Sequence, residues 1–236
     1  MRPVPGLRER KKALTRRAIS DVATRLFIER GFDAVTLADV AEAAQVSVKT
    51  ILNHFGSKED LFLDRQDQFR EELCRTIAER PAGVRPTEAL AGMLSEHRIP
   101  DGQGWAGLYD PAVYAVFQRF LRAWHASPAL LARRSSWGHR LQLDLAAQLA
   151  AEHGLAPDDE TVRVMAAMIA SAVTLRFAAL AEWVLDGRPA ADVEAGVRAI
   201  VAEAMLRVGR AFPELDLPRA ATAVVAVSDP ASSAAG

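Results

Sequence analysis

Several residue types are scarce in this 236-residue chain, and each scarcity argues against a class of protein. A single cysteine, Cys74, leaves no internal disulfide to form and indicates a reducing, cytoplasmic compartment. The N-terminus lacks the apolar stretch of a signal peptide. The most apolar run, residues 164–175, is shorter than the roughly 20 residues that a bilayer requires. We therefore expect a buried helix there and no contact with a membrane.

Catalytic and metal-binding patterns are missing as well. The five histidines are scattered along the chain without the spacing of metal ligands. Cys74 has no recognisable partner pattern, and no glycine-rich phosphate loop occurs. We therefore expect no enzymatic activity, no metal and no cofactor.

Helical patterns dominate what is present, and an all-α fold of about nine helices is predicted. Gly31 ends the first helix. The next three helices are capped in turn by the pair Thr36 and Asp39, by Ser47, and by the pair Ser57 and Asp60. The fourth helix is predicted to continue to Ile77. Further helices are predicted near 87–97, 110–126, 128–153, 158–185 and 191–211, with a connecting segment at 99–107 and a disordered tail at 213–236.

Positive charge is concentrated at the start of the chain. Residues 1–30 contain nine Lys/Arg against three Asp/Glu, whereas the whole chain has a net charge of −1. A basic end and an acidic remainder favour a polyanionic partner such as nucleic acid, although a solvated tail would show the same pattern. Arg16 and Arg17 are predicted to be surface charges that add non-specific affinity.

The second and third helices, with the short turn at Gln45 and Val46, have the proportions of a helix-turn-helix motif at 36–55. If Ile51 faces the core, a helical wheel places Lys49 and Asn53 on the outer side, flanked by Thr50 and Leu52. Such groups contact phosphates, base edges and thymine methyl groups in a major groove.

The run RRAISDVATRLFIERGFDAVTLADVAEAAQVSVKTILNHFGSKEDLF resembles the N-terminal DNA-binding domain of the TetR family of transcriptional regulators, over about 60 residues. The resemblance implies an N-terminal three-helix helix-turn-helix DNA-binding domain at 10–70 and an all-helical ligand-binding and dimerisation domain at 71–212. It also implies a homodimer on a near-palindromic double-stranded operator. A repressor released by a small apolar or amphipathic effector is the function we expect.

The resemblance also implies roles for individual residues of the motif. The predicted DNA-binding residues are Thr36, Ser47, Val48, Lys49, Thr50, Leu52, Asn53, His54 and Lys58. Two positions depart from the family pattern, since Gln45 stands where glycine is usual and Leu52 where tyrosine is usual. We predict a strained left-handed backbone at Gln45 and an operator sequence particular to this chain.

The C-terminal candidates rest on apolar helical stripes, for which an ordinary core is the alternative. The predicted pocket residues are Trp105, Phe117, Phe120, Leu121, Trp124, His125, Trp137 and Met168. The predicted dimer-interface residues are Val162, Met165, Ile169, Val173, Leu180, Val197, Ile200, Val201 and Met205. An activator or ligand-independent regulator of this fold, a non-specific DNA-architectural protein and a dimerisation module with a degenerate recognition helix remain alternatives.

Overall fold

The computed structural model describes residues 6–96 and 105–219, and over these residues the chain forms eleven helices and no strand. The predicted all-α fold is therefore confirmed. The helices are α1 (Leu7–Arg30), α2 (Leu37–Ala43), α3 (Val48–Phe55), α4 (Lys58–Phe62), α5 (Asp64–Ala78), α6 (Pro86–Glu96), α7 (Trp105–Leu108), α8 (Pro111–Ala126), α9 (Pro128–His153), α10 (Glu160–Leu185) and α11 (Ala190–Ala211).

Helices α1–α4 enclose a small apolar core of their own. Phe27 of α1, Val40 of α2 and Ile51 of α3 are fully buried, and the rings of Phe27, Phe32 and Phe62 contact one another. Short helices are marginal alone, and this shared core together with the caps holds them in place.

All three predicted caps are present at the starts of α2, α3 and α4. Thr36 accepts a hydrogen bond from the backbone N–H of Asp39 at 3.1 Å. Ser47 does the same for Thr50 at 3.0 Å, and Ser57 for Asp60 at 3.0 Å. Each cap satisfies a backbone donor that the first helical turn leaves free.

Helices α5–α11 form the second half, in which α10 packs between α9, α11 and α8. Among the described helices, α10 alone has the length and apolar composition of a membrane span, and half of its most apolar window is buried inside the fold. The buried residues of α10 include Val162, Met165, Ile169 and Val173, so the helix serves as the central core element of this half.

The structure differs from the predicted helices in two places. The predicted fourth helix is interrupted at Leu63, whose backbone (φ −94°, ψ 8°) leaves the helical region between α4 and α5. The segment predicted as a connection at 99–107 contains the short helix α7 at its end, and its residues 99–104 lie outside the described residues.

The predicted disordered tail also begins too early, because residues 213–219 pack against the body. Leu215 and Asp216 are buried, and both carboxylate oxygens of Asp216 accept hydrogen bonds from Thr87, from its backbone N–H at 3.0 Å and its hydroxyl at 2.7 Å. Asp216 thus caps the start of α6, although the two are far apart in the sequence. No local sequence pattern predicts this contact. Residues 220–236 lie outside the described residues.

Candidate nucleic-acid interface and the contacts behind it

The turn between α2 and α3 has the hydrogen bonds of a Schellman motif. The N–H of Val46 donates to Ala41 O at 2.9 Å, and the N–H of Gln45 donates to Glu42 O at 3.1 Å. This geometry places Gln45 in the left-handed region with φ of 53°, the only positive φ at a non-glycine position among the described residues. The predicted left-handed backbone at Gln45 is confirmed.

Helix α3 presents its polar side to solvent, as the helical wheel predicted. Ile51 and Phe55 are buried, whereas Lys49, Leu52 and Asn53 are exposed. Val48, another predicted DNA-binding residue, is also 37% exposed. The exposed face therefore combines a cation, an amide and two apolar side chains.

Three other predicted DNA-binding residues have contacts within the protein. The hydroxyls of Ser47 and Thr50 lie 2.8 Å apart at the start of α3. Lys58 Nζ donates to Phe32 O and to Val35 O, both at 3.0 Å, and lies 4.3 Å from the centre of the Phe32 ring. Lys58 thus joins α4 to the segment after α1, and a phosphate contact by its remaining N–H stays a prediction.

The prediction that Arg16 is a simple surface charge is wrong, because the side chain has several contacts within the protein. Its guanidinium donates to His54 O at the end of α3, and its Nε donates to Asp64 Oδ1 at 2.8 Å. It also lies 4.4 Å from the centre of the Phe55 ring. Because Asp64 is buried at the start of α5, Arg16 connects the end of the recognition helix to α5.

His54 lies beside this connection and is partly buried. Burial lowers its pKa, and the positive charges of Arg16 and Lys12 lower the pKa further. Its Nδ1 is buried with no hydrogen-bond partner among the described residues. The imidazole is therefore neutral at neutral pH in the free protein, which weakens any attraction to a phosphate until a proton is taken up.

Aromatic stacking and ion pairs join the two halves elsewhere. The rings of Phe62 in α4 and Phe120 in α8 stack with centroids 5.0 Å apart, and Trp124 contacts Phe62 edge-on at 6.0 Å. Arg133 of α9 forms an ion pair with Asp60 of α4. These contacts link α8 and α9 to α4, which follows the recognition helix in the chain.

The predicted pocket residues do not form a single group. Phe117, Phe120 and Leu121 are buried beside Trp124, at the contact between α4 and α8. Trp137 is buried elsewhere, against Phe69 and Phe177. Trp105 is buried and donates from Nε1 to Ser95 O at 2.6 Å.

His125 and Met168, by contrast, are exposed. The apolar stripe on α10 continues around the helix, and sequence alone could not show which side faces solvent.

None of the predicted pocket residues lines the open groove of about 610 Å³ that Glu71, Cys74, Asp144 and Gln148 help to form between α5 and α9. Burial raises the pKa of the Cys74 thiol, so this cysteine is less reactive than a free one. Among the described residues, no three His, Cys, Asp or Glu side chains are grouped to hold a metal ion.

The predicted dimer-interface residues are largely core residues of one chain. Eight of them are buried: Val162, Met165, Ile169, Val173, Leu180, Val197, Val201 and Met205. Ile200 is partly buried. The prediction followed the strongest apolar stripe of each helix, and those stripes pack between α10, α11 and their neighbours in the same chain, so they are not available to a second copy.

Two weaker apolar rows are exposed on the same helices. On α10 the row consists of Val164, Met168 and Leu175, each at least 38% exposed. On α11 it consists of Ala195, Ala199, Ala202 and Leu206. The spacing of three, four or seven residues places each row on one side of its helix. We call these seven residues the outer rows.

An exposed, capped helix after a tight turn, rigidly attached to a helical body, defines a helix-turn-helix DNA-binding protein. Residues 19–64 match the family model described as bacterial regulatory proteins, tetR family. The chain is 32% identical over 158 residues to the HTH-type transcriptional regulator TcmR of Streptomyces glaucescens, covering 66% of this chain and 68% of that protein.

A second relative is the HTH-type transcriptional repressor Rv1474c of Mycobacterium tuberculosis, 33% identical over 103 residues that cover 43% of this chain and 51% of that one. The fold is similar to that of NalD, the secondary repressor of the MexAB-OprM multidrug efflux pump in Pseudomonas aeruginosa, with a TM-score of 0.51 and 20% identity over 84% of this chain and 96% of that one. The chain belongs to the TetR family of transcriptional regulators.

Proposed function

We propose that this protein is a homodimeric repressor, with a DNA-binding domain at 10–70 and a ligand-binding and dimerisation domain at 71–212. The observation that carries the proposal is the exposed face of α3, which holds Lys49, Leu52 and Asn53 on a helix fixed at both ends. A regulatory role agrees with the names of its relatives, and we propose that the protein acts in the cytoplasm without enzymatic activity.

The basic start of α1 supports a larger electrostatic contact with DNA. Arg8, Arg10, Lys11 and Lys12 are all exposed, on a part of α1 that extends beyond the small core. Each phosphate that such a charge neutralises releases counterions, which makes the affinity fall with salt. We propose that this segment supplies non-specific affinity while α3 supplies sequence preference.

The outer rows support the homodimer. Leu175 is 55% exposed and Val164 is 51% exposed, although both are large apolar side chains. A second copy packed on these rows would cover them and complete a four-helix bundle from two α10 and two α11 helices. Two recognition helices would then meet successive major grooves roughly 34–36 Å apart on a near-palindromic operator.

The contacts between α4 and the helices α8 and α9 support release of the operator by a ligand. The stacking of Phe62 on Phe120 and the ion pair between Asp60 and Arg133 join α4 to α8 and α9. A small molecule that favours a different position of α8 or α9 would lower DNA affinity only if it binds that state more tightly. We propose that the effector acts in this way.

Fluorescence anisotropy tests DNA binding with the full chain and the duplex upstream of its own gene. We expect salt-sensitive binding to that duplex and weaker binding to a scrambled duplex of the same length. Lys49→Ala should weaken operator binding and reduce the salt slope by about one, whereas Arg140→Ala, an exposed charge on α9, should not. Equal affinity for both duplexes would identify a non-specific architectural protein instead.

Sedimentation velocity tests the dimer. Leu175→Glu should produce monomers and weaken operator binding, because it places a charge in each copy of an apolar interface. Leu143→Glu is the matched control, since Leu143 is equally exposed on α9 but lies outside the outer rows. Monomeric wild-type protein, or an intact Leu175→Glu dimer, would contradict the proposed interface.

A further inference from the structure

Arg176 is a deeply buried charge in the C-terminal half. The residue is 1% exposed, although charged residues are almost never fully buried unless they are paired. Its Nε donates to Leu94 O at 3.0 Å, in the last turn of α6. Its Nη1 is buried and has no hydrogen-bond partner among the described residues.

No described carboxylate compensates this charge. Burial lowers the pKa of Arg176 to about 10, so the guanidinium remains protonated at neutral pH. The carbonyl end of α6 supplies only about half a negative charge. The buried cation therefore lacks a full counter-charge within the part of the chain that the structure describes.

Arg176 borders an aromatic cluster inside the fold. The guanidinium lies 5.0 Å from the centre of the Phe177 ring, and Phe177 contacts Phe69 and Trp137 edge-on. Trp137 Nε1 donates to Gln66 O at 3.1 Å. The side-chain oxygen of Gln66 is also buried and has no hydrogen-bond partner among the described residues. The residues that border the cluster thus include one donor, Arg176 Nη1, and one acceptor, Gln66 Oε1, for which no described partner exists.

We propose that Arg176 binds the carboxylate of the effector, whose apolar body packs against Phe69, Trp137 and Phe177. The guanidinium fork matches the two oxygens of a carboxylate, and one cation neutralises one negative charge. The amide oxygen of Gln66 accepts a hydroxyl or N–H of the same molecule. The inference rests on the proposed ligand-responsive function and narrows its effector to an amphipathic carboxylic acid.

A purely structural role for Arg176 is the competing explanation. In that case the guanidinium only caps α6 through Leu94 O. The protein would then have no preference for acids over their neutral counterparts. The selectivity of the wild-type protein therefore separates the two explanations.

Isothermal titration calorimetry on the full chain measures that selectivity. The probes are 2-naphthoate, 9-anthracenecarboxylate and dodecanoate, each compared with its primary amide. A charge-assisted pair predicts that at least one acid binds about 10- to 100-fold more tightly than its amide. Arg176→Gln should remove this preference, whereas Arg163→Gln, an exposed charge on the same helix, should retain it.

Three results would overturn the proposal: no binding of any acid, equal binding of acids and amides, or an acid preference that survives Arg176→Gln. If Arg176→Gln does not fold, Arg176→Lys replaces it and should keep the acid preference at reduced affinity; loss of that preference would count against a bound carboxylate.

Operator anisotropy with the same variants keeps the inference separate from the proposed function. Acid binding through Arg176 without any change in operator affinity would refute release by this ligand while leaving the binding site intact. A wild-type protein that never binds the operator would refute the repressor proposal, and the calorimetry would still decide the role of Arg176.

Discussion

Replacing Arg16 by Met tests whether the recognition helix depends on its connection to α5 for its position. Methionine keeps an unbranched apolar side chain over Phe55 but removes the hydrogen bond to His54 O and the ion pair with Asp64. Asp64 would then be a buried carboxylate left with one long hydrogen bond of 3.4 Å from Gln68 Nε2.

The expected loss of stability follows from the unequal burial of the pair. Breaking a fully buried ion pair costs roughly 3–5 kcal/mol, and an exposed pair contributes about 0–1 kcal/mol. Asp64 is 3% exposed and Arg16 is 36% exposed, so screening reduces the larger figure to about 2 kcal/mol. Arg17→Met is the control, because Arg17 is exposed and should change stability by less than about 0.5 kcal/mol.

Urea denaturation followed by circular dichroism, at fixed protomer concentration, measures these differences. The double variant Arg16→Met with Asp64→Asn should be more stable than the sum of the single losses predicts, by about 1–2 kcal/mol. Operator affinity should fall more for Arg16→Met than for Arg17→Met, although both remove one charge. Additive stabilities within about 0.3 kcal/mol, with equal losses of affinity, would refute the connection through Arg16.

Three further predictions concern the turn, the pH dependence and the C-terminal segment. Gln45→Gly should stabilise the protein by about 0.5–1 kcal/mol, because glycine adopts a φ of 53° without strain, whereas Gln45→Ala should give no gain in the same denaturation assay. If His54 contacts a phosphate, its lowered pKa rises on binding, so operator affinity should increase as pH falls through neutrality in wild-type protein and stay flat in His54→Gln. Asp216→Ala should cost about 1–3 kcal/mol, since it leaves the buried Thr87 N–H without its partner, and a loss of similar size for the exposed Glu214→Ala would contradict this.

Local patterns were sufficient for the motif. Thr36, Ser47 and Ser57 cap their helices as predicted, because a cap involves residues only three positions apart. The exposure of Lys49 and Asn53 followed from helical periodicity once Ile51 was placed in the core. The left-handed backbone at Gln45 was predicted from the resemblance to the TetR family, in which glycine is usual at this position.

Long-range pairing was not predictable in the same way. Arg16 lies in a run of basic residues like many surface arginines, and its partner Asp64 is 48 residues away. The strongest apolar stripes of α10 and α11 are core, while the exposed outer rows are weaker in the sequence. Periodicity locates apolar faces but does not state whether the covering surface comes from the same chain or from another copy.

The sequence by itself determined the helices, the caps and the recognition helix, since each depends on interactions within one or two turns. Only the tertiary structure decided which face of α10 is exposed, what Arg16 and Lys58 contact, and that Arg176 is buried without a described counter-charge. These properties depend on which distant segments of the chain pack together. Burial and charge compensation arise from tertiary contacts and not from neighbouring residues in the sequence.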